Sequence, residues 1–268
     1  MTPSYLDRGT GRIAYDVVGA GPLVVCLPGM GDLRSAYRFL VPQLVEAGFR
    51  VATMDLRGHG DSDVSFDRFD DVAAGGDALA LVEHLGGPAV LVGSSMGAGA
   101  AVWAAAEAPA AVSGLVLAGP FVRDPAAGHL TRLALRLALL RPWGPSVWRA
   151  YHRKLYPTRP PADLSDHLRG IAAAQRRPGA WRAFAATTRT SHAPAEARLG
   201  QVAAPVLVVM GDKDPDWRDP EAEAAWVAEA LHGELLMVPG AGHYPAAERP
   251  ELVGPAVAAL AARASARA

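Results

Sequence analysis

The chain has 268 residues, half of them hydrophobic and a fifth charged, with a formal net charge of −1. This fits one large α/β domain, or a core carrying an insertion, and excludes a disordered or fibrous chain. The balanced charge gives no pull toward nucleic acid or a membrane surface.

Cys26 is the single cysteine. It can form no intrachain disulfide, and its place in the apolar run Leu23 to Leu27 predicts a buried, inert thiol. Met1 to Arg8 lacks a basic segment followed by an apolar run, so no secretory signal is read and a cytoplasmic location is expected. Leu85 to Ala106 carries no charge and is long enough to span a bilayer, but Gly86-Gly87-Pro88 and the Gly/Ser turn at 93 to 97 interrupt it. It reads as strand, turn and helix. No membrane partner is expected, and the sequence does not address oligomeric state.

In chain order, short apolar runs recur at Ile13 to Val18, Leu23 to Leu27, Val51 to Met54, Ala89 to Val92, Leu115 to Ala118, Val206 to Met210 and Leu235 to Val238. Most are continuously apolar, as strands buried on both faces of a parallel sheet are. Helical patterns lie between them at Ala36 to Ala47, Asp70 to Leu85, Met96 to Glu107, Pro220 to Leu231 and Glu248 to Ala262. The alternation predicts an α/β fold: a doubly wound, mostly parallel sheet of about eight strands flanked by helices. The run at Ile13, joined to Leu23 by only Gly19 to Pro22, is expected to pair with it as a hairpin.

The alternation stops after Pro120. Residues 121–196 show no strand pattern, and prolines divide them into helical stretches. They hold 13 Lys and Arg against 4 Asp and Glu, leaving 13 against 23 for the remainder. The segment reads as a helical cap, 121–196, inserted into a core of 1–120 and 197–268. Its charge has two readings: a solvated basic lid on an acidic base, or arginines that attract an anionic small-molecule substrate. Leu130, Leu133, Leu137 and Leu140 share a helical face and are expected to pack over a pocket. Phe121, Leu133, Leu137, Trp148 and Trp181 are its candidate lining.

Gly93-Ser94-Ser95-Met96-Gly97 stands between an apolar run and a small-residue helix, the setting of a nucleophile elbow, which lifts a serine hydroxyl off a sheet edge. A serine hydroxyl is a weak nucleophile at neutral pH and needs a base, an acid that orients the base, and donors for the oxyanion. Gly211-Asp212-Lys213-Asp214-Pro215 and Gly240-Ala241-Gly242-His243 follow later predicted strands, in the chain order Ser, Asp, His. Strand carboxyl ends are where catalytic groups gather in such sheets. Asp212, Asp214, Asp216 and Glu223 also occupy calcium-loop positions, but Trp217 replaces the required glycine and prolines constrain the backbone, so no metal is expected.

With these motifs the chain resembles the α/β-hydrolase superfamily, in a form with a helical cap. Leu27-Pro28-Gly29-Met30-Gly31 is similar to the family's oxyanion loop, and Asp55-Leu56-Arg57-Gly58-His59-Gly60-Asp61-Ser62 to the turn after its fourth strand. The elbow, Gly211 to Asp214 and Gly240 to His243 complete the series. The resemblance implies Ser95 as nucleophile, Asp214 as acid and His243 as base; Asp216 stays open as an alternative acid. It places the oxyanion donors at the backbone N–H groups of Met30 and Met96, and Pro28 stands where the family often has histidine. The implied activity is hydrolysis of a carboxylic ester without a cofactor. Carbon–carbon bond hydrolysis, perhydrolase-like chemistry and a non-turning-over binder are the alternatives.

Overall fold

The computed structural model describes residues 2–124 and 129–267, the side chains of 129–132 excepted. Eight strands form one sheet: β1 (Ser4–Asp7), β2 (Arg12–Val18), β3 (Leu23–Leu27), β4 (Arg50–Met54), β5 (Ala89–Ser94), β6 (Val112–Ala118), β7 (Val206–Gly211) and β8 (Glu234–Val238). Their order is β1-β2-β4-β3-β5-β6-β7-β8, antiparallel from β1 to β4 and parallel from β4 onward. The helices are α1 (Leu40–Glu46), α2 (Asp71–His84), α3 (Met96–Glu107), α4 (His129–Ala138), α5 (Gly144–Lys154), α6 (Leu164–Gln175), α7 (Ala180–Thr187), α8 (Ala193–Glu196), α9 (Pro220–Ala230), α10 (Pro245–Glu248) and α11 (Pro250–Ser265).

Successive residues of a strand point to opposite faces, and that alternation divides the core in two. Leu23, Val25, Leu27, Leu91, Leu115 and Val208 pack with α2, α3 and α9, while Val24, Cys26, Val90, Val92, Val116 and Val209 pack with α1 and α11. Cys26 is fully buried, which pushes its thiol pKa up and keeps it protonated. Alanines and glycines let α3 come close to the sheet and to α2. A Cβ on Gly75 would lie 2.7 Å from the Ala100 carbonyl, and one on Gly99 2.6 Å from the Asp71 carboxylate.

The expected hairpin between the strand at Ile13 and β3 does not form. β2 pairs antiparallel with β4 on one side and β1 on the other, because β3 has both edges taken by β4 and β5. The Gly19–Pro22 connection therefore crosses the chain leading into β4. Gly19 and Gly21 have φ of +79° and +106°, and a Cβ on them would lie 2.4 and 2.1 Å from the carbonyls of Phe49 and Gly48. β1 has no counterpart among the predicted runs, since only Leu6 of its four residues is buried. The predicted terminal helix divides into α10 and α11 at Arg249, ahead of Pro250.

Helices α4–α8 lie between β6 and β7 in the chain, and α8 packs on α3. Leu133, Leu137 and Leu140 do not cover a pocket as expected: they are 52%, 53% and 48% exposed. Leu130 and Arg132 lie outside the described side chains.

Candidate active site

Ser95 joins β5 to α3 at φ 54° and ψ −123°, a left-handed conformation costly for a residue with a Cβ. The neighbouring chain leaves no alternative course. A Cβ on Gly93 would lie 2.3 Å from the Gly97 carbonyl, and one on Gly97 2.3 Å from that of Leu27. The Ser95 N–H is tied to the Ala118 carbonyl at 2.9 Å, and Phe121 donates its N–H to the Ser95 carbonyl at 3.3 Å. The start of α3 lies directly behind the serine, where first-turn N–H groups, Met96 among them, have no partner within the helix.

The Gly29–Asp32 turn lies against this elbow. A Cβ on Gly29 would come within 2.8 Å of that of Ser95, and Asp32 N–H closes the turn on the Gly29 carbonyl at 3.3 Å. His59 supports it from below. Its Nδ1–H donates to the Arg57 carbonyl and its Nε2 accepts the Gly31 N–H, both at 2.9 Å. Burial lowers the imidazole pKa, keeping His59 in the neutral form that this pair of bonds requires. Gly31, at φ +73°, is covered by Trp148 of α5, whose ring would lie 2.5 Å from a Cβ there.

His243 is buried, with Nδ1 at 2.7 Å from Asp214 Oδ2 and 3.6 Å from Asp216 Oδ2. Burial alone would lower the imidazole pKa; Asp214 and then Asp216 outweigh it and push it up to about 9. The carboxylates differ. Asp214 is 2% exposed and also accepts the Asp216 N–H at 3.0 Å, whereas Asp216 lines the adjacent cavity and accepts the Tyr151 hydroxyl. Burial and the nearby Asp214 raise the Asp216 pKa. The His243 loop is held by its own N–H on the Leu155 carbonyl at 2.9 Å and by the Gly242 N–H on Glu248 Oε1 at 2.8 Å. No hydrogen bond joins the Ser95 hydroxyl to His243 among the described residues, and such bonds are often long before substrate binds.

Ser95 and His243 open on one cavity of about 480 Å³. Met30, Phe121 and Trp148 line it, as do Leu135 of α4, Leu139 just after it, and Tyr151 and Val147 of α5. Trp181 lies beneath, donating Nε1–H to the Leu139 carbonyl at 3.2 Å and packing on Phe184 at 4.9 Å. Leu133 and Leu137 are exposed and do not line it; Leu135 and Leu139, two positions further along in each case, do, with Leu139 buried and Leu135 only partly covered.

Several site residues had no motif to announce them. Asp71 and His192, 121 positions apart, meet at 2.7 Å on the cavity wall. Tyr151 reaches Asp216 from α5. Asp32 Oδ1 is hydrogen-bonded to His167 Nε2 at 2.8 Å and Oδ2 lies 3.9 Å from His152 Nε2, joining the Gly29–Asp32 turn to α5 and α6. The last cluster, and Asp214–Asp216–His243, gather donor atoms close enough for a cation, but in each the shortest pair is already a hydrogen bond.

The fold and this site define a class, a hydrolase built on a doubly wound sheet with a serine on a strand-to-helix elbow. The profile of the alpha/beta hydrolase family matches residues 24–256, and the chain belongs to that family. It is 32% identical over 257 residues to a Mycobacterium tuberculosis protein named "Putative non-heme bromoperoxidase BpoC", covering 92% of this chain and 96% of that one. A hydrolase from Pseudomonas aeruginosa superposes with a TM-score of 0.80 at 26% identity, over 96% and 97% of the two chains. A bromoperoxidase from Bacillus anthracis shares the fold with a TM-score of 0.82 at 21% identity, over 97% and 99%. The chain is thus a hydrolase of the α/β fold, and among the described residues no helix is long and apolar enough to cross a membrane.

Proposed function

We propose that this hydrolase cleaves carboxylic esters of small or medium-sized molecules with Ser95 as nucleophile, His243 as base and Asp214 as the acid that orients it. The observation that carries the reading is the 2.7 Å contact between His243 Nδ1 and Asp214 Oδ2, on a histidine that lines the same cavity as the left-handed Ser95. His243 Nε2 takes the Ser95 proton as the oxygen attacks the carbonyl, and Asp214 holds the tautomer and the imidazolium. The imidazolium protonates the leaving alcohol; water, deprotonated by His243, then releases the acid and restores Ser95. The Met30 and Met96 N–H groups receive the oxyanion, each such donor contributing about 3 kcal/mol to the transition state. Residues 121–196 act as the lid over this cavity, and the protein works in the cytoplasm on a small molecule.

The test is hydrolysis of p-nitrophenyl esters of increasing chain length. The unaltered protein is expected to turn them over and Ser95→Ala to lose the activity, with the same melting temperature; activity retained by Ser95→Ala would overturn the nucleophile assignment. The bromoperoxidase names of similar proteins favour a second reading, in which hydrogen peroxide replaces water on the same acyl-enzyme and leaves as a peracid.

A further inference from the structure

The wall of the cavity beyond Phe121 holds polar groups that ester cleavage at Ser95 does not use. His192 is 4% exposed, lines the cavity and has Nδ1 held by Asp71 Oδ2 at 2.7 Å. Asp71 is fully buried at the start of α2, in space left by the missing side chain of Gly99. The backbone that carries the ring is fixed as well, because Asp124 accepts the main-chain N–H of His192 and the Ser191 hydroxyl, each at 2.7 Å. Beside it, Thr190 has a buried hydroxyl without a hydrogen-bond partner, and Arg189 lines the cavity without an ion pair among the described residues.

This second histidine–carboxylate pair is separated from the first by one aromatic ring. Phe121 lies 5.9 Å from His243 and 5.8 Å from His192, centroid to centroid. A group bound at His192 is therefore several bonds from a carbonyl bound at Ser95. The acidic residues of the cavity are engaged: Asp216 by Tyr151 and His243, Asp124 by Ser191 and His192. Two cations, Arg189 and Arg136 of α4, also line the cavity, and neither has an ion pair among the described residues.

We propose that His192, Thr190 and Arg189 form a carboxylate-binding subsite, so that the preferred substrates are half-esters of dicarboxylic acids. This rests on the ester-hydrolase reading of Ser95. Arg189 supplies the opposite charge and the Thr190 hydroxyl a donor. The His192 ring, held at Nδ1 by the buried Asp71, is the third polar partner of the anion. A buried and otherwise unmet hydroxyl such as that of Thr190 discriminates against an analogue that lacks the partner, because it is then left unpaired.

The experiment compares kcat/KM for monomethyl adipate and methyl hexanoate, and measures adipate binding to the Ser95→Ala protein by calorimetry. The half-ester is expected to be favoured by about 10-fold or more, through KM, with the ratio falling about 10-fold in Arg189→Gln and in His192→Gln and less in Thr190→Val. Adipate is expected to bind Ser95→Ala and to weaken with added salt. Arg189 is exposed and Thr190→Val preserves shape, so misfolding does not confound these two variants. Turnover of both esters at equal kcat/KM, or a preference removed by Arg136→Gln but untouched by Arg189→Gln and His192→Gln, overturns the subsite and leaves the hydrolase reading standing. Adipate binding that depends on Arg189, in a protein that hydrolyses neither ester, supports the subsite and overturns the hydrolase reading instead.

Discussion

His243 sits between two carboxylates that do different work. Asp214, buried, contacts Nδ1 at 2.7 Å and on the proposed mechanism orients the ring; Asp216, at 3.6 Å and shared with Tyr151, adds negative charge. As the proposed base, His243 would have to be neutral to act, and a raised pKa means that protonation persists to higher pH. On this account kcat/KM for a neutral ester falls as pH drops through the His243 pKa, near 9. Asp216→Asn removes one of the charges that raise it, so the acid limb of the kcat/KM–pH profile moves to lower pH. Asp214→Asn is expected to cut kcat by ~10³–10⁴ because the tautomer is lost, whereas Asp216→Asn costs about 10-fold or less at the plateau. Equal losses from the two variants, with no movement of the limb, would contradict the division of roles. The same shift bears on stability. A folded-state pKa above the unfolded value stabilises fully below about 6.5, and that contribution is lost as pH rises through the folded value.

At the scale of elements, the site depends on turns whose residues were legible because sterics allow few alternatives. In Asp55 to Ser62, the Asp55 carboxylate accepts the N–H of Arg34 and Asp61 at 2.7 and 2.9 Å and pairs with the Arg34 guanidinium. A Cβ on Gly60 would overlap that carboxylate, 2.0 Å from Oδ2. Gly31→Ala tests the turn proposed to hold the oxyanion. Its φ of +73° makes any Cβ strained, and the added atom meets Trp148. The expected result is a loss of ~1–2 kcal/mol in urea denaturation from the backbone alone, a change in tryptophan emission and a lower kcat. Unaltered stability and emission would show that Trp148 does not rest on this turn. The Ser95 elbow and the Asp214 and His243 loops were equally readable, since each follows an apolar run. The position of β2 was not: pairing is decided by which strand edges remain open, a property of the whole sheet that Gly19 to Pro22 does not encode.

For the whole molecule, the charge division seen in the sequence resolves into few bonds between the two parts. Of the basic residues in 121–196, Arg123 pairs with a carboxylate outside the segment, Glu223, among the described residues. In the opposite sense, Arg38 clasps Asp163 through two 2.7 Å bonds. The solvated reading holds for much of the segment's surface, and Arg136 and Arg189 are those that reach the cavity. If they act on substrate, kcat/KM for a carboxylate-bearing ester falls as ionic strength rises, while that for a neutral ester of equal length does not. The meeting of His192 with Asp71 escaped the sequence because 121 positions separate the two, and folding alone brings them together. The leucines of α4 were misread for a related reason, since helical period gives a face but not what it faces.

The most direct test of the account is where a fluorophosphonate reacts, read by mass spectrometry of the digested protein. The account predicts one adduct, on Ser95, absent from Ser95→Ala and slowed in Asp214→Asn. An adduct on another residue, or hydrolytic activity that survives without any adduct, would contradict it.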